Sequence, residues 1–146
     1  MKKLVNLLIA KSIIDIIFVS ALAVGVYTNA FPPTYHGWGE AVPKTQTIAG
    51  WAVNNADPWN RVEVHLFIDG TFVRKDVAGH SRPDVVAAGW AKDEFHGYVF
   101  TMPRLPAGNH EARVYAIHPS GNGSRYTLQM LGDPIRFEVN VDGTWN

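Results

Sequence analysis

Six histidines, a dozen carboxylates after residue 30 and a few serines are the groups here with reactive chemistry. A metal site built from them needs close local spacing, such as H-x-H or H-E-x-x-H. His36, His65, His80, His96, His110 and His118 form no such pair. The nearest approaches are His80 with Asp84, and His96 with Asp93 and Glu94. Histidines scattered in this way read as solvent-facing or hydrogen-bonded, so no metal and no cofactor is expected. Nucleophilic catalysis has no thiol and no G-x-S-x-G to start from. Ser81 beside His80, and Ser120 and Ser124 in a Gly-rich turn, read as loop residues. Gly121-Asn122-Gly123 lacks the following helix and Lys-Ser/Thr of a phosphate loop. The acids Asp93 and Glu94 would need a cleft between paired carboxylates for glycosidic chemistry, and a domain this small has little room for one. The expectation is a non-enzyme. The alternative is a small secreted or anchored enzyme or metal binder using His, Asp and Glu.

Aromatic residues point instead to binding. Trp59 falls in a turn, Trp90 in a loop with Lys92, Asp93 and Glu94, and Tyr115 on an outward strand face with Phe67. Flat exposed rings suit sugar stacking or a protein contact. Trp59, Trp90 and Tyr115 are therefore the candidate binding residues, with a protein or glycan as ligand. Trp51 is expected to fill the core or to cover one of its open ends. The charge balance argues against nucleic acid. After residue 30 the chain carries ten Lys or Arg against twelve Asp or Glu, with no basic cluster to neutralise phosphates.

Any such face has to be carried by strands. Arg61 to Ile68 alternates cleanly, with Val62, Val64, Leu66 and Ile68 on one side. Asp69-Gly70 follows and then Thr71 to Val77, the pattern of a tight hairpin. Further strands are expected at Thr45 to Asn54, Tyr98 to Met102, Glu111 to His118, Tyr126 to Leu131 and Ile135 to Val141. Asn55 to Pro58, Pro106 to Asn109 and Pro119 to Gly123 read as turns. Pro83 to Ala88 alone suits a short helical turn. About seven strands with no helix to cover a single sheet predict an all-β protein, an antiparallel β-sandwich.

Ahead of the strands lies an apolar segment. Residues 4 to 27 hold fourteen Leu, Ile, Val or Phe, worth about −6 kcal/mol of insertion energy. Lys11 and Asp15 oppose this by up to about 3 kcal/mol each at the bilayer centre, so the span is expected to shift toward Ser12 to Ala30. Lys11 then snorkels, and Asp15 pairs with it one turn on. Lys2, Lys3 and Lys11 predict a cytoplasmic N-terminus and an extracytoplasmic C-terminal domain. Tyr27, Phe31, Tyr35 and Trp38 are expected near the headgroups. A cleaved signal peptide, with Ala21-Leu22-Ala23 or Thr28-Asn29-Ala30 at the cut, would make the protein secreted instead. The division expected is an anchor or signal at 1–30, a short stiff stalk at 31–41 opened by Phe31-Pro32-Pro33, and a sandwich domain at 42–146. There is no Cys, so neither a disulfide nor a lipid-modified cysteine is available.

Several short pieces occur in a set order. Gly50-Trp51-Ala52 precedes Val62-Glu63-Val64 and Ile68-Asp69-Gly70; Arg82-Pro83-Asp84-Val85, His96-Gly97-Tyr98, Leu105-Pro106-Ala107-Gly108 and His110 follow. Over roughly residues 45 to 140 the chain is similar to Ig-like β-sandwich modules of bacterial cell-surface and secreted proteins. The resemblance implies a sandwich with an extracytoplasmic, non-catalytic accessory role at the cell envelope. Arg82 and Asp84 are expected to pair with each other or to cap the loop.

Overall fold

The computed structural model describes residues 2–30, 34–120 and 123–146. Phe31-Pro32-Pro33 of the expected stalk and Gly121-Asn122 of the third turn lie outside the described residues. The chain divides into two compact units, one holding the N-terminal helix and the other running from Thr34 to Asn146.

Helix α1 covers Lys2–Ala30. Its 29 residues reach about 43 Å, well beyond the roughly 30 Å of bilayer hydrocarbon. The stretch Lys2–Val26 is long and apolar enough to cross a membrane or serve as a signal anchor. Lys11 Nζ donates to Asp15 Oδ2 at 2.7 Å, so the two charges meet along one face of the helix as their spacing predicts.

Among the described residues, the second unit is a sandwich of two antiparallel sheets with nine strands. These are β1 (Tyr35–Val42), β2 (Thr47–Asn54), β3 (Glu63–Ile68), β4 (Thr71–Val77), β5 (His80–Ser81), β6 (Phe95–Thr101), β7 (Gly108–Ser120), β8 (Arg125–Met130) and β9 (Ile135–Val139). A five-residue helix, α2 (Pro83–Ala87), lies between β5 and β6. One sheet runs β1-β2-β6-β5; the other runs β4-β3-β7-β8, with β9 also on β7. The expected seven become nine through β1 and β5. From Tyr35 onward the predicted stalk is a strand, paired with β2 along its whole length. Its glycines at 37 and 39 lower strand propensity, which hid it. Tyr35, expected at the headgroups, is buried in the core, with its hydroxyl 3.2 Å from the Ile117 carbonyl and from His118 Nδ1.

The core forms where the two inner faces meet. Ile48, Ala52, Tyr98 and Phe100 come from one sheet; Val64, Leu66, Ile68, Ala112, Val114, Ala116, Phe137 and Val139 come from the other. At its centre Tyr98 lies over a glycine pair. Gly39 and Gly50 are register partners, and Gly50 in turn pairs with Tyr98. A Cβ on either glycine would fall 2.4 Å from the Tyr98 hydroxyl oxygen, and one on Gly50 only 2.1 Å from the Trp38 carbonyl. Tyr98 is fully buried and donates to that Trp38 carbonyl at 3.2 Å. Burial pushes the Tyr98 phenol up, so it stays a donor.

Gln129 links the sheets from the opposite edge. Its side-chain amide accepts from the Tyr35 N–H at 3.2 Å and donates to the Tyr35 carbonyl at 2.7 Å, so it imitates a neighbouring strand. The Asp69-Gly70 turn has positive φ at both residues (49° and 78°), as the hairpin signal requires.

Gly50→Ala is expected to cost about 3 kcal/mol or more, since the Cβ meets backbone that cannot move aside. Tyr98→Phe, which removes only one hydrogen bond, should cost about 1 kcal/mol. Chemical denaturation of the two variants measures both, and equal losses would refute the wedge geometry.

Candidate functional site

The histidines are distributed among separate structural contacts. His96 is fully buried; its Nε2 lies 3.1 Å from Asp93, which Arg61 grips through two bonds of 2.9 Å. Desolvation holds the His96 pKa below its ordinary value, with the Arg61 charge adding to the effect. His110 sits between two acceptors, Asp69 Oδ2 at 2.7 Å and the Pro106 carbonyl at 2.9 Å. His65 meets Glu63 at 2.7 Å, His80 faces Asp76 at 3.9 Å, and His118 meets Tyr35. Among the described residues no three His, Asp or Glu side chains gather round one point. Ser81 donates to Glu94, and Arg82 forks onto Asp84 at 2.8 and 2.7 Å, the pairing expected of a loop-stabilising role.

The aromatic side chains are arranged differently. On the outer face of the β1-β2-β6-β5 sheet, Trp90 lies against His36 (centroids 5.7 Å apart, planes 28° from parallel) and against Trp51 (6.1 Å, 32°). Two near-parallel neighbours cover a ring without enclosing it, and Trp90 is 54% exposed. The turn after α2 holds it there. Gly89 has φ +81°, its N–H donates to Val86 and the Trp90 N–H donates back to Val85, which makes a Schellman turn with Trp90 at its second residue beyond the helix. Beneath, Val53, Val85 and Ala91 form a small second core against which Trp51 packs.

Trp38 and Trp51 are register partners on the same outer face. Trp38 is 46% exposed and Trp51 half-buried. Trp51 is half-buried against this second core rather than in the main one, for its side chain faces outward and the inward space beside it at Gly50 belongs to Tyr98. Trp38 likewise stands outward between two small inward residues, Gly37 beneath the Leu131 side chain and Gly39 beneath Tyr98. The repeated small-Trp-small pattern at 37–39 and 50–52 was the sequence signal for this face, and with His36 it was missed. Arg82 completes the arrangement. Its Cγ occupies the space a Cβ of Gly97 would need, 2.7 Å away, and Gly97 is the β6 partner of Trp51.

The predicted binding residues do not converge. Trp90 belongs to the face just described. Trp59 stands in the β2–β3 turn, 66% exposed, and the ring contacts of Trp90 run to Trp51 and His36 rather than to it. Tyr115 lies on the outer face of the other sheet, edge-to-face with Phe67, which meets Phe72 in turn.

The His110 contact gives a pH dependence of stability. With both ring nitrogens facing acceptors, the charged imidazolium satisfies both, and the hydrogen bond to Asp69 is the main cause of a raised pKa. Asp69 is lowered, first by the Glu111 backbone N–H and then by His110. The His110 contribution is therefore complete below about pH 6.5 and lost as pH rises through its raised value. That of Asp69 is present above about pH 3.9 and lost as pH falls through its lowered value. Denaturant midpoints taken from about pH 5 to about pH 9 should fall more steeply for the native chain than for His110→Leu; a flat difference curve would exclude the pairing. Compared with known protein families, curated proteins and solved structures, the chain matches none, so the geometry of the Trp90 face carries the functional reading.

Proposed function

We propose that this chain is a membrane-anchored, extracytoplasmic binding module of the bacterial cell envelope, with an Ig-like sandwich whose ligand seats on the Trp90 face. The strand orders β1-β2-β6-β5 and β4-β3-β7-β8 support the Ig-like reading, since they follow the A-B-E-D and C′-C-F-G order of that fold. Apolar length in α1 supports the anchor, and Lys2, Lys3 and Lys11 support a cytoplasmic N-terminus. The observation that carries the binding role is Trp90, a ring held against His36 and Trp51 and yet 54% exposed. The fold does not require it: the sandwich core is filled from the inner faces, and four of the five tryptophans lie outside it. Large rings held rigidly on a surface, at little entropic cost to a ligand's approach, are characteristic contact residues.

Two measurements test this. Because the chain has no Cys, single cysteines report topology directly. Asn60→Cys should react with a membrane-impermeant maleimide on intact cells, and Lys3→Cys only after permeabilisation; the reverse pattern would overturn the orientation. For binding, the full chain in detergent should sediment with isolated cell envelopes. Trp90→Ala should weaken that retention about tenfold, the effect of losing roughly 1.4 kcal/mol, without moving the unfolding midpoint.

A further inference from the structure

The outer face of the β1-β2-β6-β5 sheet has a direction as well as rings. His36, Trp38 and Glu40 are the successive outward residues of β1, spanning about 13 Å along the strand. Trp90 lies over the His36 end. Beside Trp38, at the edge of the sandwich where β1 meets β9, lies an open groove of about 350 Å³, lined by Trp38, Gly39, Glu40, Asp133, Ile135 and Arg136 among others. Polar groups flank this track on the sheet side. Arg82 crosses beside Trp51 and holds the exposed Asp84 carboxylate through both of its oxygens. Glu40 lies near enough to act on the Arg82 guanidinium, after Asp84 itself.

Ring faces in line with hydrogen-bonding side chains, on an open surface without a deep apolar pocket, match one ligand chemistry well. A pyranose with equatorial hydroxyls carries axial C–H groups on its flat faces and hydroxyls round its rim. The faces stack on indole, and the rim meets carboxylate and guanidinium. A protein hot spot would instead centre on an apolar anchor in a desolvated pocket. The length of the track calls for a chain of sugars rather than one. Its charge sets the kind: Glu40 and Asp133 line the groove, while Arg82 is held by Asp84 and Arg136 faces Glu111, so an anionic chain meets carboxylates whose nearest guanidinium groups are already engaged.

We infer that the Trp90–Trp38 track binds a neutral, β-linked oligosaccharide lying along β1, one sugar on the exposed part of the Trp90 indole and a later one on Trp38 at the groove. This rests on the binding-module reading above and names its ligand class.

The experiment uses the full chain in lipid nanodiscs, titrated with the β1,4-linked tetramers of glucose and of N-acetylglucosamine and with the anionic tetramer of galacturonate, followed by tryptophan fluorescence and calorimetry. At least one neutral tetramer should bind saturably, and galacturonate at least tenfold more weakly. Trp90→Ala and Trp38→Ala should each weaken binding at least tenfold. Gly89→Val, which displaces Trp90 through its turn, should do the same, with circular dichroism checking the fold of all three. Phe72→Ala and Tyr126→Ala, on the opposite sheet, should bind as the native chain does. Failure of both neutral tetramers, or binding that survives Trp90→Ala, would overturn the inference. A photo-reactive benzoylphenylalanine at Val99, outward on this face, separates that failure from failure of the binding reading. A discrete protein adduct there in cells, without sugar binding, leaves a binding module whose ligand is a protein; no adduct and no sugar binding removes both.

Discussion

Tyr98 lying across Gly39 and Gly50 is the contact on which the rest of the sandwich depends. One aromatic side chain from β6 reaches over two strands and ends on the Trp38 carbonyl. That reach is possible only because both intervening positions lack a Cβ. Strands with glycine inside have little apolar surface of their own to bury, and the ring supplies it, so β1 and β2 are held to β6 from the core side. The alternation of a strand does the rest. If the inward residues of 37–39 and 50–52 must be small, the large residues of those segments can only face out. Trp38 and Trp51 stand on the surface because Tyr98 stands beneath it.

The charged and polar groups that look reactive in the sequence are mostly occupied in keeping this arrangement closed. Asp69 is the clearest case. It turns the β3–β4 hairpin with a positive φ, accepts the Glu111 N–H on one oxygen, and meets His110 on the other. A single carboxylate thereby joins a hairpin turn to the start of β7. Arg61, Asp93 and His96 do similar work at the opposite end of the sheet, with His96 neutral and fully buried. Groups so thoroughly paired leave little free for chemistry on a ligand, whereas the indoles of the outer face have unpaired surface to offer.

How much of this the sequence disclosed depends on whether a feature was local. The Asp69-Gly70 hairpin, the alternation of Val62 to Ile68 and of Ile135 to Val139, and the helical turn after Pro83 all rest on neighbours within a few residues, and all stand where the pattern puts them. The Arg82–Asp84 pair is equally local. What escaped was set by contacts distant in the chain. The side chains that pack over Gly37 and Gly39, Leu131 and Tyr98, lie far along the chain, so nothing near β1 marks it as a strand. Tyr35 read as a headgroup aromatic because its partners, Ile117, His118 and Gln129, belong to the other sheet. Trp90 is legible as a candidate, but its alignment with His36 and Trp51 is not, since that alignment depends on β1, where the sequence reads as a stalk.

Trp90 also shows how structural and functional demands divide within one residue. A Schellman turn favours an apolar residue in its position, touching the third residue from the helix end, here Val85. Leucine would meet that demand at lower exposure. Gly89 then fixes the backbone in the one conformation that returns Trp90 over the sheet instead of into solvent, and His36 and Trp51 give its plane an orientation. Each of these constraints removes freedom from a side chain that remains exposed. Rigidity of that kind adds little to a core already closed beneath it. It does lower the entropy lost when something flat settles on the ring, because the loop and the indole are ordered before the ligand arrives. A structural account explains why an apolar residue follows Gly89; the width and exposure of the indole are the features on which the proposed binding role draws.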